Sequence, residues 1–196
     1  MGTLTLILGG ARSGKSTWAE RIARTEGGEH VLFVATAQPL DEEMRERIAR
    51  HRSSRPPTWR TLETPRQVGA TIRQAYRQER VIIVDCITVL VGNIFMDAPN
   101  DPVRVRENAL AEADKLISVV QGLPAHTLII SNEVGMGIVP ITPLGRAYRD
   151  ILGEVNQRIA AAADNVYLIV AGIPLVVKGN LPGAKKPHSQ ENERST

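Results

Sequence analysis

The sequence predicts an α/β protein whose mostly parallel sheet is covered by helices on both faces. Short apolar segments rich in β-branched residues alternate with longer helical stretches, and a glycine-rich segment follows the first of them. A segment that comes directly after the last predicted strand indicates an edge hairpin at 173–179. Buried strands are expected over 3–10, 31–36, 80–85, 126–131 and 165–172, and helices over 15–26, 41–52, 65–79, 103–121 and 143–163.

Length and composition predict one soluble domain. The chain has 196 residues, 42% hydrophobic and 23% charged, which suits a single core over 1–179. The end of the chain, 180–196, is polar and lacks apolar periodicity, so a largely unstructured tail is expected. No run of about 18 apolar residues occurs, so no membrane span is expected. A single Cys86 and the absence of a secretory amino terminus favour a cytoplasmic location.

The segment "GGARSGKST" predicts a nucleotide phosphate site. It matches G-x-x-x-x-G-K-[ST] between a strand and a helix. Backbone N–H groups of such a loop surround phosphate oxygens, and the helix behind it favours an anion. A plain glycine-rich turn is the alternative. We therefore expect a P-loop NTPase fold of the RecA-like type, with phosphates held by Gly9, Gly10, Ala11, Arg12, Ser13, Gly14, Lys15 and Ser16.

Two carboxylates follow predicted strands near this loop. Asp85 ends "VIIVD", and with the Ser16 hydroxyl it is expected to hold Mg²⁺. Glu133, in "SNEVGMG", follows the fourth strand of the predicted series. The carboxyl ends of parallel strands share one edge of the sheet, so Glu133 is expected near the same crevice. An ordinary loop acid is an equal alternative for Glu133.

A histidine lies within an arginine cluster. Seven arginines and no lysine occur between Arg45 and Arg66, and "RIARHRSSRP" contains His51. Arginine pairs well with phosphate oxygens, and nearby positive charge favours a neutral imidazole that can attack phosphorus. Met44, Ile48 and His51 share one helical stripe. A basic helix end with an incidental histidine, or a histidine satisfied in the core, is the simpler interpretation.

Several segments together resemble one enzyme family. They are "GGARSGKS", "VATAQPLDEEMRERIARHRSSRP", "DCITVL" with "GN", "SNEVGMGIVP", "YRDILGEVNQRIA" and "VYLIVAGIPLVVKG". The chain resembles, from about residue 4 to 178, the bifunctional adenosylcobinamide kinases and adenosylcobinamide-phosphate guanylyltransferases. The segment "CITVLVGNIF" departs from the family, whose members often carry bulkier residues there.

The resemblance implies two reactions of cobalamin biosynthesis. ATP or GTP phosphorylates the corrinoid adenosylcobinamide, and GMP from GTP then passes through a guanylyl-histidine to give adenosylcobinamide-GDP. It places the guanylylated histidine on His51 and implies a homotrimer. Lys15 is expected to act in catalysis together with His51. Besides the phosphate loop, the implied nucleotide contacts are Thr36, Ala37, Gln38, Arg52, Ser53, Ser54, Arg55, Glu63 and Asp85.

Two other functions fit parts of the sequence. A monofunctional P-loop kinase of a small molecule would use Gly9 to Ser16 and leave His51 idle. A P-loop ATPase that binds nucleic acid would use the Arg45 to Arg66 stretch. The formal net charge of +3 and an aromatic content of 4%, with Trp59 alone in that stretch, disfavour nucleic acid as a partner.

Overall fold

The computed structural model describes residues 2–39, 42–53 and 55–182, without the side chains of residues 43, 47, 50 and 51. Strands and helices alternate along most of this length. In chain order they are β1 (Leu4–Gly9), α1 (Lys15–Gly27), β2 (Val31–Ala35), α2 (Glu42–Ser53), β3 (Arg60–Glu63), α3 (Val68–Ala75), β4 (Val81–Asp85), α4 (Ile87–Asp97), α5 (Pro102–Gln121), β5 (His126–Ile130), α6 (Pro143–Ala162), β6 (Asn165–Val170) and β7 (Ile173–Lys178).

The strands form one sheet in the order β3-β2-β4-β5-β1-β6-β7. All neighbouring pairs are parallel except β6 and β7, which form the predicted edge hairpin. Strand β5 lies between β1 and β4, and its Ile130 pairs with Ile7 on one side and Asp85 on the other. The carboxyl ends of these three strands therefore meet at one edge of the sheet.

Helices cover both faces of the sheet, as predicted. Alternating residues of β4 point to opposite faces: Ile82 and Val84 pack in a core with α3, α4, α5 and α6, while Val81 and Ile83 pack in a second core with α1. The central strands are buried on both faces, which explains their nearly continuous apolar sequences.

Local sequence signals account for the starts of the two longest helices. Asp101 caps α5 by accepting a hydrogen bond from the Arg104 N–H (3.0 Å). Thr142 caps α6 in the same way, from the Gly145 N–H (3.1 Å). A proline follows each cap at the first helical position, where its missing N–H costs nothing. Both helices lie close to the ranges predicted for them.

Strand β3 and helix α4 are absent from the elements that the sequence predicts. Strand β3, Arg60–Glu63, is a four-residue edge strand that is only half-buried, so it lacks the apolar run of the central strands. Helix α4, Ile87–Asp97, is rich in β-branched residues and mostly buried. Such a helix has no polar stripe and shows little helical periodicity.

The helix predicted over 65–79 is shorter, and α3 covers only Val68–Ala75. Tyr76 is extended. The buried Glu79 carboxylate accepts the Arg77 N–H (2.7 Å) and pairs with Arg60, which holds this segment outside a helix. At the start of α3, the Glu112 carboxylate accepts a hydrogen bond from the Val68 N–H (2.6 Å).

Most of the predicted tail, residues 183–196, lies outside the described residues. Asn180, the first residue of the predicted tail, contacts the sheet. Its N–H donates to Asn165 Oδ1 (3.2 Å), and its carbonyl accepts a hydrogen bond from the Tyr167 hydroxyl. Within the described ranges, no helix combines the length and apolar character needed to cross a bilayer.

Candidate active site

The glycine-rich loop joins β1 to the first turn of α1. Gly14, with φ of +97°, is the residue before α1, and this left-handed conformation favours glycine. A Cβ on Gly9 would lie 2.6 Å from the Ile169 carbonyl oxygen, so a larger residue would push the loop away from β6. The Ser13 carbonyl also accepts the Gly172 N–H (2.8 Å). These contacts fix the loop against the β6–β7 turn.

Three side chains at the loop have the chemistry of a phosphate site. Lys15 is 7% exposed and its Nζ donates to the Gly10 carbonyl (2.6 Å), so the ammonium group stays over the loop. The Ser16 hydroxyl donates to Asp85 Oδ2 (3.1 Å). The loop and the end of β4 are therefore within hydrogen-bonding distance, although β5 separates their strands.

A cavity of about 550 Å³ opens beside this loop. Its lining combines polar residues, including Lys15, Ser16 and Asp85, with many apolar ones. Helix α2 contributes Met44, Ile48 and Arg52 to the lining. The apolar remainder comes mainly from strand ends and from the residues that follow them: Phe33, Ala35, Ala37, Pro39, Cys86, Val89 and Ile130.

Arg55 projects positive charge into this cavity. Its guanidinium carbon lies 3.6 Å from the centroid of the Phe33 ring, within the range of a cation–π contact. Burial lowers the pKa of Arg55 from its ordinary value, an effect that the negative charge of Asp85 partly opposes. Beside it, Arg52 and Glu63 form an exposed ion pair (3.7 Å). The cavity lining therefore contains a guanidinium, held against an aromatic ring, as well as the phosphate loop.

A buried hydrogen-bond network holds the ends of β2 and β4 together. The Thr36 hydroxyl accepts the Cys86 N–H (2.9 Å) and donates to the Cys86 carbonyl (2.8 Å). Asn93 on α4, 3% exposed, donates to the carbonyls of Thr36 (2.9 Å) and Pro65 (3.0 Å). Burial raises the pKa of the Cys86 thiol to about 11. This network fixes the two chain segments that lead into Ala37 and out of Glu63.

Comparison with known proteins identifies the family. Residues 5–177 match the model of the family described as cobinamide kinase / cobinamide phosphate guanyltransferase. The chain belongs to this family. This match confirms the family resemblance that the sequence motifs indicated. It also confirms the prediction that the protein is an enzyme of the cobinamide kinase and guanyltransferase type.

Three relatives match this chain over most of its length. The bifunctional adenosylcobalamin biosynthesis protein CobU of Escherichia coli is 42% identical over 182 residues, covering 89% of this chain and 99% of that protein. The protein of the same description named CobP, from Pseudomonas aeruginosa, is 44% identical over 174 residues, covering 89% of this chain and 96% of its own length. Salmonella typhimurium CobU is 43% identical, with 89% and 99% covered.

A solved structure supports the fold of this family member. The flagellar accessory protein FlaH from Methanocaldococcus jannaschii gives a TM-score of 0.52 at 17% identity, covering 94% of this chain and 82% of that one. At this identity the likeness concerns the fold alone. With the mostly parallel sheet, it confirms the predicted P-loop NTPase α/β fold.

The cavity unites many of the residues that the sequence singled out. Of the nucleotide-binding residues predicted for this kinase and guanyltransferase, those that line it are Ala11, Arg12, Ser13, Gly14, Lys15, Ser16, Ala37, Arg52, Arg55, Glu63 and Asp85. Five others lie outside the lining: Gly9, Gly10, Thr36, Gln38 and Ser53. Ser54 and the side chain of His51 fall outside the described residues, although position 51 belongs to α2.

Glu133 adjoins the phosphate loop but is directed elsewhere. Its N–H donates to the Gly9 carbonyl (3.0 Å), so the backbone lies near the crevice as expected. The carboxylate instead accepts the Gly135 N–H (2.5 Å) and lies outside the cavity lining. The preceding residue, Asn132, lines the cavity. Sequence reasoning missed Asn132, although its position directly after a buried strand was an available signal.

Proposed function

We propose that this chain phosphorylates adenosylcobinamide and then transfers GMP to the product, with both reactions in the cavity described above. One observation carries the proposal: the phosphate loop and helix α2, which contains His51, border the same cavity. The single domain predicted over 1–179 would hold both activities. The relatives named bifunctional adenosylcobalamin biosynthesis proteins support the two-step chemistry.

In the first reaction, a hydroxyl oxygen of adenosylcobinamide attacks the γ-phosphorus of ATP or GTP. A new P–O bond forms, the bond to the β–γ bridging oxygen breaks, and the nucleoside diphosphate leaves. Lys15 and the N–H groups of residues 11–16 would hold the phosphates and offset the charge that develops on the leaving oxygen. Positioning and electrostatic stabilisation supply most of the catalysis in such transfers.

Ser16 and Asp85 fit a role in holding Mg²⁺. Their oxygens lie 3.1 Å apart beside the phosphate loop. Mg²⁺ prefers oxygen ligands and commonly takes only one or two from protein, with the rest from phosphate and water. When bound, the ion would offset negative charge on the phosphate groups. Both residues line the cavity, so they are available to such an ion.

In the second reaction, a neutral nitrogen of His51 attacks the α-phosphorus of GTP and expels pyrophosphate. A phosphate oxygen of adenosylcobinamide phosphate then attacks the guanylyl group, giving adenosylcobinamide-GDP and regenerating the imidazole. Helical spacing supports the assignment, because position 51 follows the cavity-lining Met44 and Ile48 at i+7 and i+3. Arg52 and Arg55 bring positive charge to the same end of α2.

Two radiolabels test this function. With GTP labelled at the γ-phosphate, label should appear in the corrinoid product. With GTP labelled at the α-phosphate, label should first appear on protein as an acid-labile, alkali-stable adduct. A protein that transfers γ-label but never acquires α-label would be the monofunctional kinase. Absence of both transfers would refute the proposed function.

We further propose that the chain assembles as a homotrimer and acts in the cytoplasm. Support for assembly comes from the loop before α6, where Met136, Ile138 and Ile141 are 78%, 95% and 93% exposed. Clustered apolar side chains of this kind mark interaction surfaces. Sedimentation analysis should give a trimer, and the double variant Ile138→Ser/Ile141→Ser should lower its mass. Val103→Ser, a similar change at an exposed site on α5, is the control and should leave the mass unchanged.

A further inference from the structure

Asn132 occupies a distinctive place at the edge of the sheet. Strand β5 lies between the strand that leads into the phosphate loop and the strand that ends at Asp85. Ile130 pairs with Ile7 and with Asp85, so the chain two residues later lies between these two parts of the site. Asn132 lines the cavity there together with Lys15, Ser16 and Asp85.

The backbone of Asn132 is fixed from two helices. Its N–H donates to the Thr88 hydroxyl on α4 (2.7 Å), and its carbonyl accepts from the Asn156 side chain on α6 (3.1 Å). Asn156 is itself 6% exposed. The Tyr148 hydroxyl donates to the Thr88 carbonyl (2.9 Å), which joins α6 to α4 behind the strand. Such support holds a side chain in place before a ligand arrives.

The side-chain amide of Asn132 is available to a ligand. Among the residues that the structure describes, none forms a hydrogen bond with it, whereas the backbone groups of the same residue are both engaged. The neighbouring Glu133 carboxylate is occupied by the Gly135 N–H. Of the three polar residues that follow β5, Ser131, Asn132 and Glu133, only Asn132 lines the cavity.

We propose that Asn132 is a catalytic residue of the kinase reaction, and that its amide N–H donates a hydrogen bond to the γ-phosphoryl group during transfer. This inference rests on the proposed function. A P-loop cradles the β-phosphate, and its lysine reaches the γ-phosphate. The γ-phosphoryl group is therefore expected beside Lys15, in the cavity that Asn132 also lines. A fixed donor at that point stabilises the charge on the equatorial oxygens.

Kinetics of two Asn132 variants test the proposal. In Asn132→Ala, the kcat of cobinamide phosphorylation should fall by about 100-fold, with the KM for nucleotide raised by no more than about tenfold. Asn132→Asp, which keeps the shape but replaces the donor by a negative charge, should lose more. Guanylylation should lose less activity than phosphorylation, because the bond that breaks in guanylylation is at the α-phosphorus, away from the phosphoryl group that Asn132 contacts. A kcat for phosphorylation near wild type, or equal losses in both reactions, would overturn the proposal.

A binding measurement separates this inference from the proposed function. Titration with Mg²⁺ and either AMP-PNP or ADP gives the preference of the protein for a third phosphate, without any corrinoid. Asn132→Ala should reduce that preference by about tenfold, the loss expected for one hydrogen bond to a charged group. An unchanged preference would overturn the inference. If the wild-type protein phosphorylates no corrinoid but Asn132→Ala still lowers the preference for the third phosphate, the proposed function fails and the contact of Asn132 with the γ-phosphate stands.

Thr88 provides a matched test of the support for Asn132. Thr88→Val keeps the shape but removes the acceptor of the Asn132 N–H, whereas Thr88→Ser retains it. Valine should lower the kcat of phosphorylation by about tenfold, and serine should restore most of it. Guanylylation should change little in either variant. Equal behaviour of the two variants would show that Thr88 does not position Asn132.

Discussion

Replacement of Asn93 by leucine tests how the fold builds the cavity wall. Asn93 is 3% exposed, and its amide donates to the Thr36 carbonyl at 2.9 Å and to the Pro65 carbonyl at 3.0 Å. Leucine has a similar size but no donor. Thr36 is 0% exposed, so its carbonyl would lose a partner that water replaces poorly. Each such loss costs about 1 to 2 kcal/mol, giving about 3 kcal/mol for Asn93→Leu.

Urea unfolding followed by circular dichroism measures this loss directly. The variant should unfold at a lower urea concentration with an unchanged m-value, and its thermal midpoint should fall by about 6 to 12 °C. The KM for GTP should rise several-fold, because Ala37 and Glu63 line the cavity close to the two bonded carbonyls. Asn108→Leu, the same change at an exposed position of α5, should cost less than about 0.5 kcal/mol. Equal losses in the two variants would refute the reasoning.

Two further predictions concern cavity side chains. Arg55→Lys should raise the KM for GTP by about tenfold with little change in stability, because lysine cannot reproduce the planar guanidinium that faces the Phe33 ring at 3.6 Å; an unchanged KM in steady-state assays would contradict this. The Cys86 thiol, whose pKa burial raises to about 11, should react with iodoacetamide at a rate that rises about tenfold per pH unit from pH 7 to 10 in EDTA. Nucleotide should slow that reaction, and a plateau near pH 8.5, typical of a free thiol, would refute the assignment.

Strong local patterns predicted most of the sheet and the phosphate loop. The central strands are continuous apolar runs, and the helices α5 and α6 begin with a capping side chain and a proline. The loop motif places Lys15 and Ser16 by itself, since the geometry of the site is local there. Pairing of Ser16 with Asp85 also followed from the rule that parallel strands end at one edge.

Other parts of the site depend on contacts between distant segments. The edge strand β3 owes its conformation to pairing with β2 rather than to an apolar pattern. Asn93 and Asn132 are ordinary polar residues in the sequence, and only the packing of α4 against the strand ends gives the first its two carbonyl partners. Likewise, Phe33 was identified only as part of a buried strand, whereas its ring packs beneath the Arg55 guanidinium.

The most direct test of the account is the site of covalent guanylylation. The protein is incubated with GTP and Mg²⁺, digested at alkaline pH, and mapped by mass spectrometry, followed by a chase with adenosylcobinamide phosphate. The account predicts one guanylyl group on His51, its loss during the chase, and no adduct in His51→Asn. Attachment to another residue, or an adduct that the corrinoid phosphate cannot discharge, would contradict the role of α2 in this cavity.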